Sequence, residues 1–319
     1  MNMDLAQKIQ EALGVTDEQL TRLVARAPYA YKVYEIAKRS GGSRTIAQPA
    51  RETKFIQTWL IEHVFNVLPV HESATAYAKG SSILKNAEAH KSNRFIAKFD
   101  FANFFPSIKY EDLITHFERH LSNIVSEQEM RTIARIACMR SKANDRLQLS
   151  IGAPSSPILS NSIMFEFDSR IAAWCAGQNI VYTRYADDLA FSTEVVGATA
   201  KIEAVIREIL RGISYPSLRI NNRKTIQISK KFQRRITGLV INNGGELSLG
   251  RDKKREISSL VHRFRHNLLS GDEIFRLQGL LGFAKDVEPQ FVIRLRSKYT
   301  SEVVDVILKL RKPPKLTTG

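Results

Sequence analysis

An α+β fold built on an antiparallel sheet is predicted by three features of the sequence. Between Ile180 and Ser192, β-forming residues flank two adjacent acids, Asp187 and Asp188, which reads as two short strands joined by a turn. A second β-prone run, Phe95, Ile96, Ala97 and Phe99, ends on Asp100, and Pro106 terminates the short stretch after it. Stretches with apolar residues at helical spacing lie before, between and after these runs.

The acids carry the chemistry. Two anions at a tight turn repel each other, and a divalent cation shared between them, or with a third carboxylate, relieves the repulsion. Alone, Asp187 and Asp188 also fit an acidic surface turn, and Asp100 also fits a helix cap before Phe104 and Phe105. Taken together, strands that each deliver carboxylate near one end can lie side by side. Asp100, Asp187 and Asp188 then form a place for two Mg²⁺ ions serving in-line displacement at a phosphate.

Composition bounds the partners. Lysine and arginine number 48 against 32 acids, a formal net charge of +16. That excess points to a polyanion, nucleic acid ahead of an anionic membrane surface. No apolar run approaches the ~20 residues of a membrane span. The N-terminus lacks an apolar secretion core, so a cytoplasmic protein is expected. Cys138 and Cys175 are the only cysteines; both are expected as buried free thiols, and a cysteine-built zinc site is excluded by their number.

In chain order, residues 3–40 read as helices, with Thr16 or Asp17 capping one that carries Leu20, Leu23 and Val24. The break from Ser40 to Ser43 leads into a short strand from Arg44 to Pro49. An amphipathic helix is predicted from Arg51 to Leu68, with Phe55, Ile56, Leu60, Ile61, Val64, Phe65 and Leu68 inward. Arg44, Arg51 and Lys54 gather near its start, either as solvated cations or as phosphate contacts. Ser81 or Ser82 caps a short helix carrying Asn86 and His90 on one face. Tyr110 to Cys138 reads as helical; the pairs His116/His120 and His262/His266 have zinc-compatible spacing but no third ligand nearby. Gly152, in a turn holding Pro154 and Pro157, permits close backbone approach. The turn feeds a helix whose core face is Leu159, Ile163, Phe167, Ile171 and Trp174. Lys201 to Ile213 is a further amphipathic helix. Lys224 comes next, in a loop before a strand, as a surface cation or a counter-charge to pyrophosphate. Ile236 to Ile241 and Glu246 to Leu249 flank a hairpin turn at residues 242–245. From Arg251 to Leu310 the chain reads as helical and basic, and the tail 311–315 is expected to fray.

This ordered set resembles the reverse transcriptases: an aspartate strand (Asp100), a glycine loop before a helix (Gly152 to Pro157), a Tyr-x-Asp-Asp hairpin (Tyr185 to Asp188), a lysine strand (Lys224) and a further hairpin (Ile236 to Leu249). Within that family it looks most like the retron type. Asn86 to His90 matches an Asn-Ala-x-x-His element, and Ile236-Thr237-Gly238 matches Val-Thr-Gly with isoleucine for valine. One departure is Ile151, where the family usually has glutamine, which bears on nucleotide selection.

The resemblance implies a right-hand polymerase: an N-terminal helical extension over 1–43, interleaved fingers and palm over 44–245, and a basic helical thumb over 246–319. It implies RNA-directed DNA synthesis with two Mg²⁺ ions on Asp100, Asp187 and Asp188, and backbone groups of Phe101 and Ala102 offered to metal and triphosphate. Phe105 would block a ribose 2′-OH and so select dNTPs, with Phe104 as its rival. Arg44, Lys54, Gly152 and Lys224 would face the nucleotide. Asn86, His90, Thr237, Gly238, Lys253, Lys254, Arg255, Arg263 and Arg265 would face RNA. The implied partners are a cognate structured non-coding RNA, the branched RNA–DNA product primed from a guanosine 2′-OH, and an effector protein encoded alongside in an antiphage unit; no membrane is involved. Two alternatives stand beside this: a group II intron-like or other stand-alone defence reverse transcriptase, and a non-catalytic RNA-binding protein on a polymerase scaffold.

Overall fold

The computed structural model describes residues 5–37, 41–78 and 80–310. In chain order its elements are helices α1 (Leu5–Leu13) and α2 (Asp17–Arg26), strands β1 (Tyr31–Ala37) and β2 (Ser43–Pro49), helices α3 (Arg51–His63) and α4 (Ile83–Glu88), and strand β3 (Phe95–Asp100). Next are α5 (Phe104–Ser107), α6 (Tyr110–His120), α7 (Glu127–Ala137), β4 (Met139–Arg140), β5 (Leu147–Gln148), α8 (Ser156–Ile163) and α9 (Phe165–Ala176). Then come β6 (Val181–Tyr185), β7 (Asp188–Thr193), α10 (Ile202–Gly212), β8 (Ile226–Ser229), β9 (Arg234–Ile236), β10 (Leu239–Ile241), β11 (Leu247–Ser248), α11 (Arg251–Arg265), α12 (Gly271–Val287), α13 (Pro289–Tyr299) and α14 (Ser301–Lys309). The α+β class expected from the sequence holds.

Two compact units share these elements, one formed by Met1–Ser81 with Phe95–Gln227, the other by Ser82–Arg94 with Ile228–Gly319. The first contains the adjoining strands β6, β7 and β3, in that order, of the sheet that carries the acids. β3 and β7 run antiparallel with Asp100 opposite Asp188, and β6 and β7 close a hairpin with Tyr185 opposite Asp188. Phe99 meets Phe191 edge to face at 5.8 Å, and Phe101 meets Phe167 of α9 at 5.6 Å, so the sheet's inner face is an aromatic core. The second unit holds α4, the sheet β11-β10-β9 and helices α11–α14.

Local signals account for most boundaries. Thr16 caps α2 in a reciprocal box with Gln19, and Ser126 and Ser270 do the same for α7 and α12. Other expectations are corrected. Residues 31–37, read as helical, form a strand, because Tyr31, Val33, Tyr34 and Ile36 are β-formers and residues 43–49 pair with them along their whole length. α3 stops at His63, where Val64 leaves helical geometry, and Phe55 is exposed rather than inward. The stretch 110–138 is two helices, and the one after Pro157 is interrupted near Met164. Residues 236–241 are not one strand: Thr237 and Gly238 both have positive φ (45° and 87°) and turn the chain so that Ile236 pairs with Leu239. The tail 311–315 lies outside the described residues. Cys138 and Cys175 are buried and free, as expected.

Beneath the β6–β7 turn lies a fully buried ion pair. Arg184 donates from Nη2 to Asp168 Oδ2 at 2.6 Å and from Nε to Oδ1 at 2.9 Å, with both side chains shut off from solvent. Its Nη1 donates to Asn161 Oδ1 and to the carbonyl of Ala186, each at 3.1 Å, and Tyr182 donates its hydroxyl to Asp168 at 2.7 Å. Every charge in the cluster is thus satisfied, which burial demands. The Ala186 carbonyl belongs to the turn itself, where Ala186 sits at φ 58°. The prediction is that Arg184→Leu, which strands the Asp168 carboxylate, lowers the unfolding free energy by about 3–5 kcal/mol in denaturant titration. Pairing it with Asp168→Leu should recover much of the loss.

Candidate active site

The sheet register assembles the site. Asp100 ends β3, Asp188 opens β7 beside it, and Asp187 occupies the turn. The Phe101 amide donates to the Asp187 carbonyl at 3.1 Å, stitching the strand end to the turn. Asp100 is 3% exposed and its carboxylate is matched: Asn221 Nδ2 donates to Oδ1 at 3.2 Å and Lys224 Nζ donates to Oδ2 at 2.6 Å. Burial alone would depress the Lys224 ammonium, but its bond to Asp100 and the charges of all three acids hold it above its ordinary value.

The other two acids are less well compensated. Burial first, then the charge of Asp100, raises the Asp187 carboxyl, while Lys224 and Arg44 act the other way. Asp188 is pushed up to about 6 by burial and then by Asp187, against Lys98. A carboxyl raised by burial and then by a neighbouring acid is relieved by an added positive charge. Among the described residues no three His, Cys, Asp or Glu side chains stand ready as an ion cage; Asp100 is paired with Lys224. The donor chemistry nevertheless fits a divalent ion: hard oxygen ligands, partly dry and short of counter-charge, which such an ion would supply.

The remaining expected nucleotide contacts divide. Arg44, exposed on β2, acts on Asp187 through its charge; Lys54, exposed on α3, is not among the cations weighing most on the acids. The Ala102 amide already donates to the Arg219 carbonyl at 2.9 Å, so it is not free for a triphosphate, and the Phe101 amide is likewise committed. Phe104 is buried and stacked on Phe101, whereas Phe105 is only half-buried. Gly152 is glycine because of β2: a Cβ there would lie 3.0 Å from both the Ala47 carbonyl oxygen and Ile46 Cγ2 at φ 117°. The neighbouring Ile151 carbonyl accepts from the Ala47 amide at 2.8 Å.

In the second unit the expected RNA contacts also divide. Asn86 and His90 are buried, and burial lowers the His90 imidazole to about 4, so it carries no charge at neutral pH. Thr237 bonds the Ile83 carbonyl at 3.1 Å, so it and Gly238 shape a turn. Lys253, Lys254 and Arg263 pair with Glu256, Glu288 and Glu273, leaving Arg255 and Arg265 as the exposed cations of that set. Sequence reasoning missed Asn221, Lys98, Arg184 and Asp168. The available signal was Arg184 itself, a charge inside a β-forming run.

A family model described as reverse transcriptase (RNA-dependent DNA polymerase) matches residues 36–241. The chain is 38% identical over 312 residues to the retron Ec83 reverse transcriptase of Escherichia coli, spanning 97% of this chain and 98% of that protein. It is 32% identical to the retron Ec73 enzyme and 30% identical to the retron Ec86 enzyme of the same organism, over 88% and 91% of this chain and 90% and 89% of theirs. The chain therefore belongs to the reverse transcriptases, right-handed RNA-directed DNA polymerases, and among them to the retron enzymes. Reverse transcriptases work with divalent metal ions on nucleic-acid substrates. Among the described residues no helix is long and apolar enough to cross a membrane.

The electrostatics give a stability prediction. A carboxyl held above its ordinary value takes up protons more readily folded than unfolded, so its ionisation opposes folding. For Asp188 that penalty is absent below 3.8, grows towards about 6 and is complete above it. In EDTA at pH 8, Asp188→Asn should therefore raise stability by on the order of 1–3 kcal/mol, with the gain vanishing below pH 4. Thermal unfolding across pH checks this.

Proposed function

We propose that this chain copies part of a dedicated structured RNA into DNA at the site formed by Asp100, Asp187 and Asp188. The observation that carries the reading is the strand register, which brings the end of β3 to the turn of β6–β7 and gathers three acids there. A non-catalytic binder of RNA phosphates would gain nothing from that concentration of negative charge.

Asp100, Asp187 and Asp188 are the residues that would hold two Mg²⁺ ions. Held there, such ions would supply activation of a primer hydroxyl and counter-charge for the departing pyrophosphate. The chain's own groups position and select. Lys224 pairs with the Asp100 carboxylate and supplies a cation at the site. Arg44 brings a second positive charge from β2, suited to a triphosphate. Phe105, half-buried where Phe104 is buried, offers ring surface for excluding a ribose 2′-OH. Arg255 and Arg265 are the candidates for phosphate contact in the second unit.

The retron relatives and the intact acid set support a finer reading. Synthesis begins from the 2′-OH of a guanosine within the RNA and yields a branched RNA–DNA molecule. That product and the enzyme restrain an effector encoded alongside, as part of antiphage defence in the cytoplasm.

Two outcomes test this. Asp100→Asn and Asp187→Asn should each lower Mg²⁺-dependent dNTP incorporation on a primed RNA by more than about a hundredfold, with RNA binding largely unchanged in a filter assay; retained synthesis in both would remove the assignment. Nucleic acid extracted from expressing cells should contain a small DNA that survives RNase and keeps a short RNA stub. A linear DNA without RNA attached would count against the branched product.

A further inference from the structure

Tyr77 has no part in gathering the acids or their counter-charges, and three observations single it out. Its backbone is left-handed (φ 64°), an unfavourable state for a bulky aromatic residue that persists only where surroundings hold it. The residue is 52% exposed, so its ring is not there to fill the core. That ring nevertheless lies against two others, 6.5 Å from Phe105 and 6.5 Å from Tyr185, centroid to centroid.

The segment leading to Tyr77 is pinned to the site. Ala74 bridges Arg184 in parallel, Thr75 donates its amide to the Arg184 carbonyl at 2.8 Å, and Asn161 Nδ2 donates to the Ala76 carbonyl at 2.8 Å. The network that supports the Asp187 turn therefore also sets where Tyr77 begins. The phenol sits close enough to Asp187 that burial, then the Asp187 charge, raises it above its ordinary value. It remains a neutral ring at any working pH.

We infer that Tyr77 is a specificity-determining residue: its ring backs Phe105 and fixes how tightly the nucleotide pocket closes on the sugar. The inference rests on the polymerase reading and on Phe105 as the group that meets the 2′ position. Buried Phe104 already meets the half-buried Phe105 ring edge to face at 5.3 Å. Tyr77 adds a second, tilted ring at 6.5 Å, which limits how far Phe105 can swing from a ribose hydroxyl.

The test compares kcat/KM for one dNTP and its matching rNTP on a primed RNA with Mg²⁺. Tyr77→Ala should lower the dNTP preference by about three- to tenfold, the worth of one aromatic pair, chiefly through faster rNTP use. Tyr77→Phe should keep the wild-type preference, since ring and backbone strain are retained. Adding Tyr77→Ala to Phe105→Ala should change the preference no further than Phe105→Ala alone. Should Tyr77→Ala misfold, Tyr77→Leu carries the test with the same expected direction. An unchanged preference, an equal fall for both sugars, or full additivity with Phe105→Ala would overturn the inference while leaving the polymerase intact. A wild-type chain that incorporates neither sugar would overturn the polymerase reading, and this inference with it.

Discussion

Three carboxylates are held together here against their mutual repulsion, and the rest of the first unit is arranged around that constraint. Backbone pairing fixes where they stand: Asp100 and Asp188 are partners across two strands, and Asp187 cannot leave the turn that joins its own strand to the next. Burial first, and the neighbouring acid's charge second, raise the carboxyls of Asp187 and Asp188. The resistance to that repulsion lies one layer down. Arg184 fastens the Ala186 carbonyl, Asp168 and Asn161 anchor Arg184, and no solvent reaches the pair. A buried ion pair is weak evidence of net stability, but it specifies one geometry, since any other arrangement would leave a charge uncompensated. Here it specifies the turn on which the chemistry depends.

Much of this was legible in the residues. β-forming runs ending on acids predict strands that deliver carboxylate, and periodicity predicts the helices that cover them. The illegible part depends on long-range pairing. Residues 31–37 carry β-formers, yet only the partner strand at 43–49 decides that they extend. Lys224 was legible as a cation for the site, but its pairing with Asp100 was not, because that partner is 124 positions away in sequence. Gly152 suggested a close approach to something, and that something is β2, a neighbour no local pattern names.

The second unit shows the same limit for charge. A run of cations in the sequence suggests a surface for phosphates, yet Lys253, Lys254 and Arg263 of α11 already have carboxylate partners in α11, in α12 or at the α12–α13 junction. Such exposed or half-exposed pairs add little stability. They do remove free positive charge from the solvent, so a count of lysines and arginines overstates the field a nucleic acid would meet. Burial acts on the retron-like element in a different way. Asn86 and His90 lie inside, with His90 kept neutral, so the match to relatives there bears on how the unit is built.

Backbone strain separates structural from functional demands around the acids. Tyr77, Asn103 and Ala186 all have positive φ without being glycine, at 64°, 51° and 58°. Each departure costs on the order of 1–2 kcal/mol, and asparagine is the only one of the three residue types that tolerates it well. Asn103 turns the chain from β3 into the short helix that carries Phe105, and Ala186 shapes the turn that carries Asp187. Both place a named group of the site. Tyr77 places only itself, with its ring half in solvent between Phe105 and Tyr185. A position strained for folding alone would bury what it holds. One strained to keep an aromatic surface open beside the acids fits the proposed role, in which the sugar of an incoming nucleotide lies against that surface.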